Sequence, residues 1–148
     1  LRTLSKGYGL AGLRLGFGVA NPRLLAGLFK VKDSYNVDAI AISLGAAAMG
    51  DQTYKNARAN QIKASRSTLT TALRQLDFSV LDSHGNFVLA TPGTGQAESL
   101  YLALKDQRIL VRYFKQPGLE DKLRISVGTD EQNHILIDAL TGLIDNIK

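Results

Sequence analysis

Ser5-Lys6-Gly7-Tyr8-Gly9-Leu10-Ala11-Gly12-Leu13-Arg14-Leu15-Gly16 is the stretch on which the reading of this chain turns. It sets one lysine and one arginine across a glycine-rich bend, between segments that read as strands. A lysine amine forms imines with carbonyl groups once its ammonium loses a proton. An arginine guanidinium is a planar fork suited to holding a phosphate. A ligand with an aldehyde at one side and a phosphate at the other would use both.

The same glycines, Gly7-x-Gly9-x-x-Gly12, also match a dinucleotide-binding fingerprint, and Asp33 lies near where a ribose-binding acid would be expected. Such a loop opens a helix, however. Here Leu13 to Ala20 has strand character, with Gly16 and Gly18 inside it, and the nucleotide reading fails on context.

Outward from this stretch, Leu1 to Ser5 reads as a strand end. Asn21-Pro22 starts a helix over Pro22 to Val31, with Leu24, Leu25, Leu28 and Val31 on one side. Asp33 to Asp38 is turn-like, and Ala39 to Met49 is an alanine-rich helix ending near Gly50. Asp51 caps a long amphipathic helix to about Leu76, striped by Ile62, Leu69, Leu73 and Leu76. Phe78 to Leu81 and Phe87 to Ala90 pair as strands around the turn Asp82-Ser83-His84-Gly85. A helix over Gln96 to Gln107, strands over Ile109 to Tyr113 and Leu123 to Val127, and a helix from Asp130 to Ile147 capped by Thr129 complete the pattern. The class is α/β, and the order of elements changes near residue 50. Residues 1–50 are expected to be the tail of a larger domain. Residues 51–148 are expected to form a linking helix and a small α+β domain, an antiparallel sheet with helices on one face.

Bulk properties narrow the function. The chain has 148 residues, 45% hydrophobic and 21% charged, which suits one sizeable core and argues against disorder. No stretch approaches the roughly 20 apolar residues of a spanning helix. With no cysteine, disulfides and thiolate metal sites are excluded, and a reducing cytoplasm is compatible. The net charge of +5 is spread over Lys30, Lys32, Lys55, Arg58, Lys63, Arg66 and Arg74, without a dense cluster or interleaved aromatics. That is a solvated helix face rather than a nucleic-acid surface. His84 and His134 lack companions at metal-ligand spacing. Because the chain opens at Leu1 with the lysine segment already under way, it is expected to be the C-terminal part of a longer protein.

A second constellation lies in Ile109-Leu110-Val111-Arg112-Tyr113-Phe114 and Leu123-Arg124-Ile125-Ser126-Val127-Gly128-Thr129. Arg124 is a charge between apolar neighbours. Alternation permits an outward-facing strand residue. A buried guanidinium would instead need a partner, which an anionic substrate could supply.

The segment from Thr3 to Gly16 closely resembles the lysine signature of fold-type I pyridoxal-phosphate aminotransferases, and within them is most similar to the histidinol-phosphate aminotransferases. The resemblance extends through Gly85-Asn86-Phe87-Val88-Leu89 and the Arg124 segment to essentially the whole chain. One mild departure is Gly7, where the family more often has alanine. The resemblance implies that Lys6 is the Schiff-base lysine, that Arg14 grips the cofactor phosphate, and that Thr3 and Ser5 contribute hydroxyls beside it. It implies that Arg124 binds the substrate carboxylate or phosphate, with Arg112 assisting at the phosphate. Tyr35 and Asn36 resemble a segment near a dimer interface that faces a neighbouring active site, although turn chemistry explains the asparagine equally well. Asn86 is either a turn residue or part of the pocket.

For the complete enzyme, the resemblance implies a cytoplasmic homodimer using pyridoxal 5'-phosphate. An amino donor and a phosphorylated keto substrate would be its small-molecule partners, with no nucleic acid and no membrane involved. Lys6 would move a proton between the substrate α-carbon and the cofactor. The pair of substrates would be imidazole acetol phosphate with glutamate, yielding histidinol phosphate and 2-oxoglutarate. The family's acid for the pyridine nitrogen and its ring-stacking aromatic are expected before Leu1, so this stretch alone is expected to bind the cofactor weakly and turn over nothing measurable. Alternatives are a threonine-phosphate decarboxylase or an aromatic aminotransferase of the same fold, or a non-catalytic small domain.

Overall fold

The lysine segment folds as a hairpin. In the computed structural model, which describes residues 1–145, β1 (Arg2–Thr3) pairs antiparallel with β2 (Gly16–Phe17). Arg2 stands opposite Phe17 and Thr3 opposite Gly16. A side chain at Gly16 would put its Cβ 2.7 Å from the Arg2 carbonyl oxygen, so the two strands can approach only with glycine there. β2 is shorter than the expected strand over Leu13 to Ala20. A 3-10 turn occupies Ala11–Leu13, and Arg14 adopts a left-handed conformation that delays strand pairing. The first α-helix, α1 (Pro22–Val31), begins only beyond β2, so the glycine loop does not open an α-helix.

Local caps set the next helices. Asn21 Oδ1 accepts from the Arg23 N–H at 2.9 Å and Pro22 takes the first turn, starting α1 where expected. Asp38 accepts from the Ala41 N–H at 2.8 Å to start α2 (Ala39–Gly50). Asp51 accepts from the Tyr54 N–H at 3.0 Å ahead of α3 (Gln52–Gln75). Gly45 lets α2 settle on the hairpin, because a Cβ there would collide with Leu15 and crowd Leu4.

The chain divides into two compact units inside α3, the first spanning Leu1–Ala59 and the second starting at Asn60. The second unit contains β3 (Phe78–Val80), β4 (Phe87–Pro92), α4 (Ala97–Asp106), β5 (Arg112–Tyr113), β6 (Leu123–Ser126) and α5 (Asp130–Asp145). The sheet order is β3-β4-β6-β5, antiparallel throughout. Its core face is formed by Val88, Ala90, Leu123 and Ile125. Leu69 and Leu73 of α3, Leu100 and Leu104 of α4, and Leu136, Leu140 and Ile144 of α5 join them in one buried cluster. The alternation of β4 explains this: Val88, Ala90 and Pro92 are buried while Phe87, Leu89 and Thr91 are only partly covered.

Thr129 and Gln132 form a reciprocal cap on α5. The Thr129 hydroxyl accepts from the Gln132 N–H at 3.2 Å, and Gln132 Oε1 accepts from the Thr129 N–H at 3.0 Å. The expected end of this helix at Ile147 lies outside the described residues. The strand expected over Ile109 to Tyr113 is reduced to Arg112–Tyr113, after a helix end at which Arg108 takes positive φ. Among the described residues, no helix is long and apolar enough to cross a membrane.

Candidate functional site

In the first unit, backbone hydrogen bonds close the loop that carries Lys6. The Leu4 N–H donates to the Leu15 carbonyl at 3.0 Å, and the Leu10 N–H donates to the Leu4 carbonyl at 3.1 Å. The Gly9 N–H turns back onto the Lys6 carbonyl at 3.1 Å, with φ of +70° at Gly9. Lys6 stands two residues beyond Leu4, and Arg14 immediately precedes Leu15. The Leu4–Leu15 bond therefore gathers both at the base of one loop. Thr3 and Ser5 flank the same point, where Thr3 Oγ1 accepts from the Ser5 N–H at 3.1 Å. The Tyr8 hydroxyl accepts from Gln52 Nε2 at 3.2 Å, tying the loop to the first turn of α3.

Lys6 is exposed, and its ammonium has no hydrogen bond or ion pair among the described residues. Arg14 donates once, to the Ala11 carbonyl at 2.9 Å, leaving the rest of its fork open. Its backbone sits at φ 51° and ψ 36°. For a residue with a side chain, that conformation costs on the order of 1–3 kcal/mol and is found preferentially at ligand clamps.

In the second unit, Arg112 of β5 stands directly opposite Arg124 of β6, and Arg124 stands opposite Leu89 of β4. Direct cross-strand partners share a face, so both arginines lie on the side of the sheet away from the core. Like charges so placed repel unless something anionic sits between them. The ion pairs among the described residues are elsewhere: Arg74 with Asp82 at 3.7 Å, Lys115 with Glu98 at 3.7 Å, and Lys122 with Asp121 at 2.5 Å. The hydrogen bond from Lys122 holds the Asp121 carboxyl below its ordinary range. Arg112 and Arg124 instead lie on aromatic rings. The Arg124 guanidinium carbon is 4.0 Å from the centre of the Phe87 ring, and that of Arg112 is 5.0 Å from the Phe114 ring.

Arg124 thus faces outward, as alternation permits, and is partly covered rather than buried. Asn86, just before β4, is also partly covered, and its carbonyl accepts from the Val127 N–H at 2.9 Å. By alternation it falls on the other parity from Phe87 and Leu89, so the sheet does not group it with the arginines. Tyr35 is 95% exposed in the turn between α1 and α2, and Asn36 Oδ1 accepts from Lys32 Nζ at 3.4 Å. Neither is gathered with Lys6. His84 and His134 are exposed.

Nothing in the sequence pattern alone singles out Phe87, Phe114 or Asn133. Asn133 is one of the few buried polar side chains. Its Oδ1 accepts from the Gly128 N–H at 3.1 Å and its Nδ2 donates to the Gly128 carbonyl at 3.4 Å, fixing the chain as it leaves β6. The alternating parity of Phe87 and Leu89 was the available signal for the first of these. Its value depended on knowing the strand register.

A lysine and an arginine thus flank one glycine loop, and an arginine pair shares one face of a small antiparallel sheet. The family model for aminotransferases of class I and II matches residues 1–140, and the chain belongs to that family. Among individual proteins, it is 67% identical over 144 residues to histidinol-phosphate aminotransferase 1 of Trichormus variabilis, covering 97% of this chain and 41% of that protein. It is 45% identical to the histidinol-phosphate aminotransferase of Rippkaea orientalis over 139 residues, covering 94% of this chain and 40% of that protein. The chain therefore spans about two fifths of the length of the curated relatives it matches. Among solved structures, the histidinol-phosphate aminotransferase of Sinorhizobium meliloti in complex with pyridoxal-5'-phosphate superposes with a TM-score of 0.84 at 28% identity, over 99% of this chain and 41% of that one. The L-threonine-O-3-phosphate decarboxylase of Porphyromonas gingivalis superposes with a TM-score of 0.81 at 26% identity, over 96% of this chain and 45% of that one. The fold is that of the C-terminal part of these fold-type I enzymes.

Proposed function

We propose that this chain supplies the covalent anchor and the anion-binding arginines of a histidinol-phosphate aminotransferase. The full-length protein would convert imidazole acetol phosphate and glutamate to histidinol phosphate and 2-oxoglutarate, in histidine biosynthesis. The observation that carries this reading is the Leu4–Leu15 backbone bond closing one loop on Lys6, whose ammonium has no partner among the described residues, and on Arg14, whose guanidinium donates to the Ala11 carbonyl alone. The named relatives, at up to 67% identity, support the choice of substrate.

The donor set suits pyridoxal 5'-phosphate. Lys6 offers an amine without an ion-pair partner among the described residues, Arg14 offers uncommitted guanidinium donors, and Thr3 and Ser5 offer hydroxyls at the same place. When bound, this cofactor supplies an electron sink for negative charge at the substrate α-carbon. The Lys6 amine would hold it until the substrate amine takes its place, and the freed amine would then be the base and acid that takes and returns the α-proton. Arg14, with Thr3 and Ser5, holds the cofactor phosphate. Arg124 receives the carboxylate of glutamate or the phosphate of the keto substrate, since a planar fork serves either anion. Arg112, opposite it in register, adds the second positive charge that a phosphate dianion calls for. Tyr35 and Asn36, exposed in the turn between α1 and α2, would face a neighbouring subunit's site in this reading, and Asn86 would reach the substrate from the turn before β4 and not from the face of the arginines.

Residues 1–50 are read as the tail of the large cofactor-binding domain and 51–148 as the linking helix and small domain. The protein works as a cytoplasmic homodimer in this account. The exposed apolar residues of α1 and α2, among them Leu24, Phe29, Ile40 and Leu44, support a larger assembly. A purified full-length protein given glutamate and imidazole acetol phosphate should form 2-oxoglutarate and histidinol phosphate. The likeness to the phosphothreonine decarboxylase makes that activity the second reading. Carbon dioxide released from O-phosphothreonine, without keto-acid formation from glutamate, would establish it in place of the first.

A further inference from the structure

We infer that Phe87 is a positioning residue for Arg124, holding the guanidinium by its face so that its N–H edge stays free for an anion. This rests on the reading of Arg112 and Arg124 as the substrate-anion site. The register places Phe87 opposite Ser126 and Leu89 opposite Arg124, which makes Phe87 the diagonal neighbour of Arg124 on the same face. Across that diagonal the guanidinium carbon reaches to 4.0 Å from the ring centre.

The backbone that carries the ring is held at three successive carbonyls. The Phe87 carbonyl accepts from Ser83 Oγ at 2.6 Å, and the Asn86 carbonyl accepts from the Val127 N–H at 2.9 Å. The Gly85 carbonyl accepts from Arg66 Nη1 at 2.6 Å, anchoring the turn to α3. The ring edge also runs beside Gly85, where a Cβ would meet it at 3.6 Å, an ordinary van der Waals contact.

An aromatic platform does what a carboxylate could not. An acid beside Arg124 would orient it but would occupy its N–H donors and cancel the charge needed for the substrate. A ring attracts the cation through its quadrupole and touches only its face. All five donors then remain in the plane, available to oxygen atoms of a carboxylate or phosphate. Arg112 has the same arrangement, more loosely, on Phe114 at 5.0 Å. The tighter geometry at Phe87 marks it as the residue that sets the direction of the fork.

The test compares Phe87→Leu, Phe87→Met, Phe87→Tyr and Arg124→Lys in the full-length, cofactor-loaded protein. The readouts are the competitive inhibition constant of inorganic phosphate and the separate KM and kcat for the phosphorylated substrate. Phe87→Leu should raise both the inhibition constant and KM by about five- to tenfold, with kcat within about twofold. Phe87→Met, which keeps the bulk without a ring face, should behave like Phe87→Leu and serves in its place should that variant not fold. Phe87→Tyr keeps the face and should stay within about twofold of the parent. The inference is overturned if the Leu or Met variant leaves the phosphate constant unchanged while Arg124→Lys raises it. Equal losses in Phe87→Tyr and Phe87→Leu, or a fall in kcat without a change in KM, overturn it as well. An unchanged phosphate constant in Arg124→Lys would instead remove the anion-site reading beneath it.

Discussion

The two units of this chain divide chemistry and stability unequally. In the first, the buried apolar side chains are Leu4 and Ala41, and the apolar residues of α1 and α2 are largely left on the surface. α2, with the sequence Ala-Ile-Ala-Ile-Ser-Leu-Gly-Ala-Ala-Ala-Met-Gly, is apolar all round, yet Ile40, Ile42, Leu44 and Met49 are exposed. A helix apolar on every side belongs in an interior. The second unit closes a cluster from Leu69 to Ile144 over one face of its sheet. The lysine hairpin is thus held by local hydrogen bonds and its small contact with α2, and the arginine pair stands on a platform with its own core. Lys6 is therefore exposed in a unit that buries little, whereas Arg112 is exposed because it stands on a sheet face turned from the core.

The comparison is tested most severely at Lys6. If the first unit carries chemistry rather than stability, Lys6→Ala in the full-length protein should lower kcat by at least about 10³-fold. Its thermal midpoint, measured without added cofactor, should stay where it is. Borohydride reduction followed by peptide mass analysis should find the cofactor mass on Lys6 in the parent and nowhere in the variant. A loss of folding in Lys6→Ala would mean that the hairpin is a structural element and would break the division of roles.

The converse substitution belongs to the second unit. Leu73 is fully buried within the core cluster, so Leu73→Ala should cost about 2–5 kcal/mol by urea unfolding of the chain. Leu24→Ala, at a position 58% exposed in α1, should change the same measurement by less than about 0.5 kcal/mol. Similar costs for the two would show that the first unit is covered in solution, and would sharpen the question of what covers it.

How far this was legible in the sequence follows the range of the interactions. Asn21-Pro22 and Asp51 marked helix starts because a cap is a contact across three residues or fewer, whereas the Asp38 cap on α2 was legible only as part of a turn. Lys6 and Arg14 could be read as a pair because the loop that joins them is short and its glycines are visible. The strands over Leu13 to Ala20 and Ile109 to Tyr113 were read too long. Apolar composition alone does not report the left-handed backbone at Arg14 or Arg108. The placement of Arg112 opposite Arg124, and of Phe87 beneath Arg124, depends on the register of three strands from separate parts of the chain. Residue type named the arginines, but only pairing could show that they share a face.

The arginine pair gives the next smaller effect. Arg124→Lys keeps the charge and loses the planar fork, so KM for both glutamate and the phosphorylated substrate should rise about 10- to 100-fold, with little change in thermal midpoint. Arg112→Lys should affect the phosphorylated substrate more than glutamate, since its proposed task is the second charge of a phosphate. Equal effects on the two substrates would make the arginines a shared anion clamp without that division.

The smallest expected effect tests whether the platform and the core of the second unit are one device. Thr129 and Gln132 cap α5 shortly after β6, and Asn133 clamps Gly128 just ahead of that cap. Thr129→Ala should cost about 1 kcal/mol of stability, the ordinary value of a lost helix cap. If the cap serves only α5, KM for the phosphorylated substrate will be unaltered. If it also sets where β6 ends, and so where Arg124 stands against Arg112, KM should rise severalfold at a temperature well below unfolding. A double substitution with Asn133→Ala separates the cases, because the Thr129–Gln132 and Gly128–Asn133 contacts share one six-residue segment and are close enough to couple. Additive stability losses with unchanged KM would make α5 a mere buttress; coupled losses accompanied by a rise in KM would tie the core of the second unit directly to the geometry of its arginines.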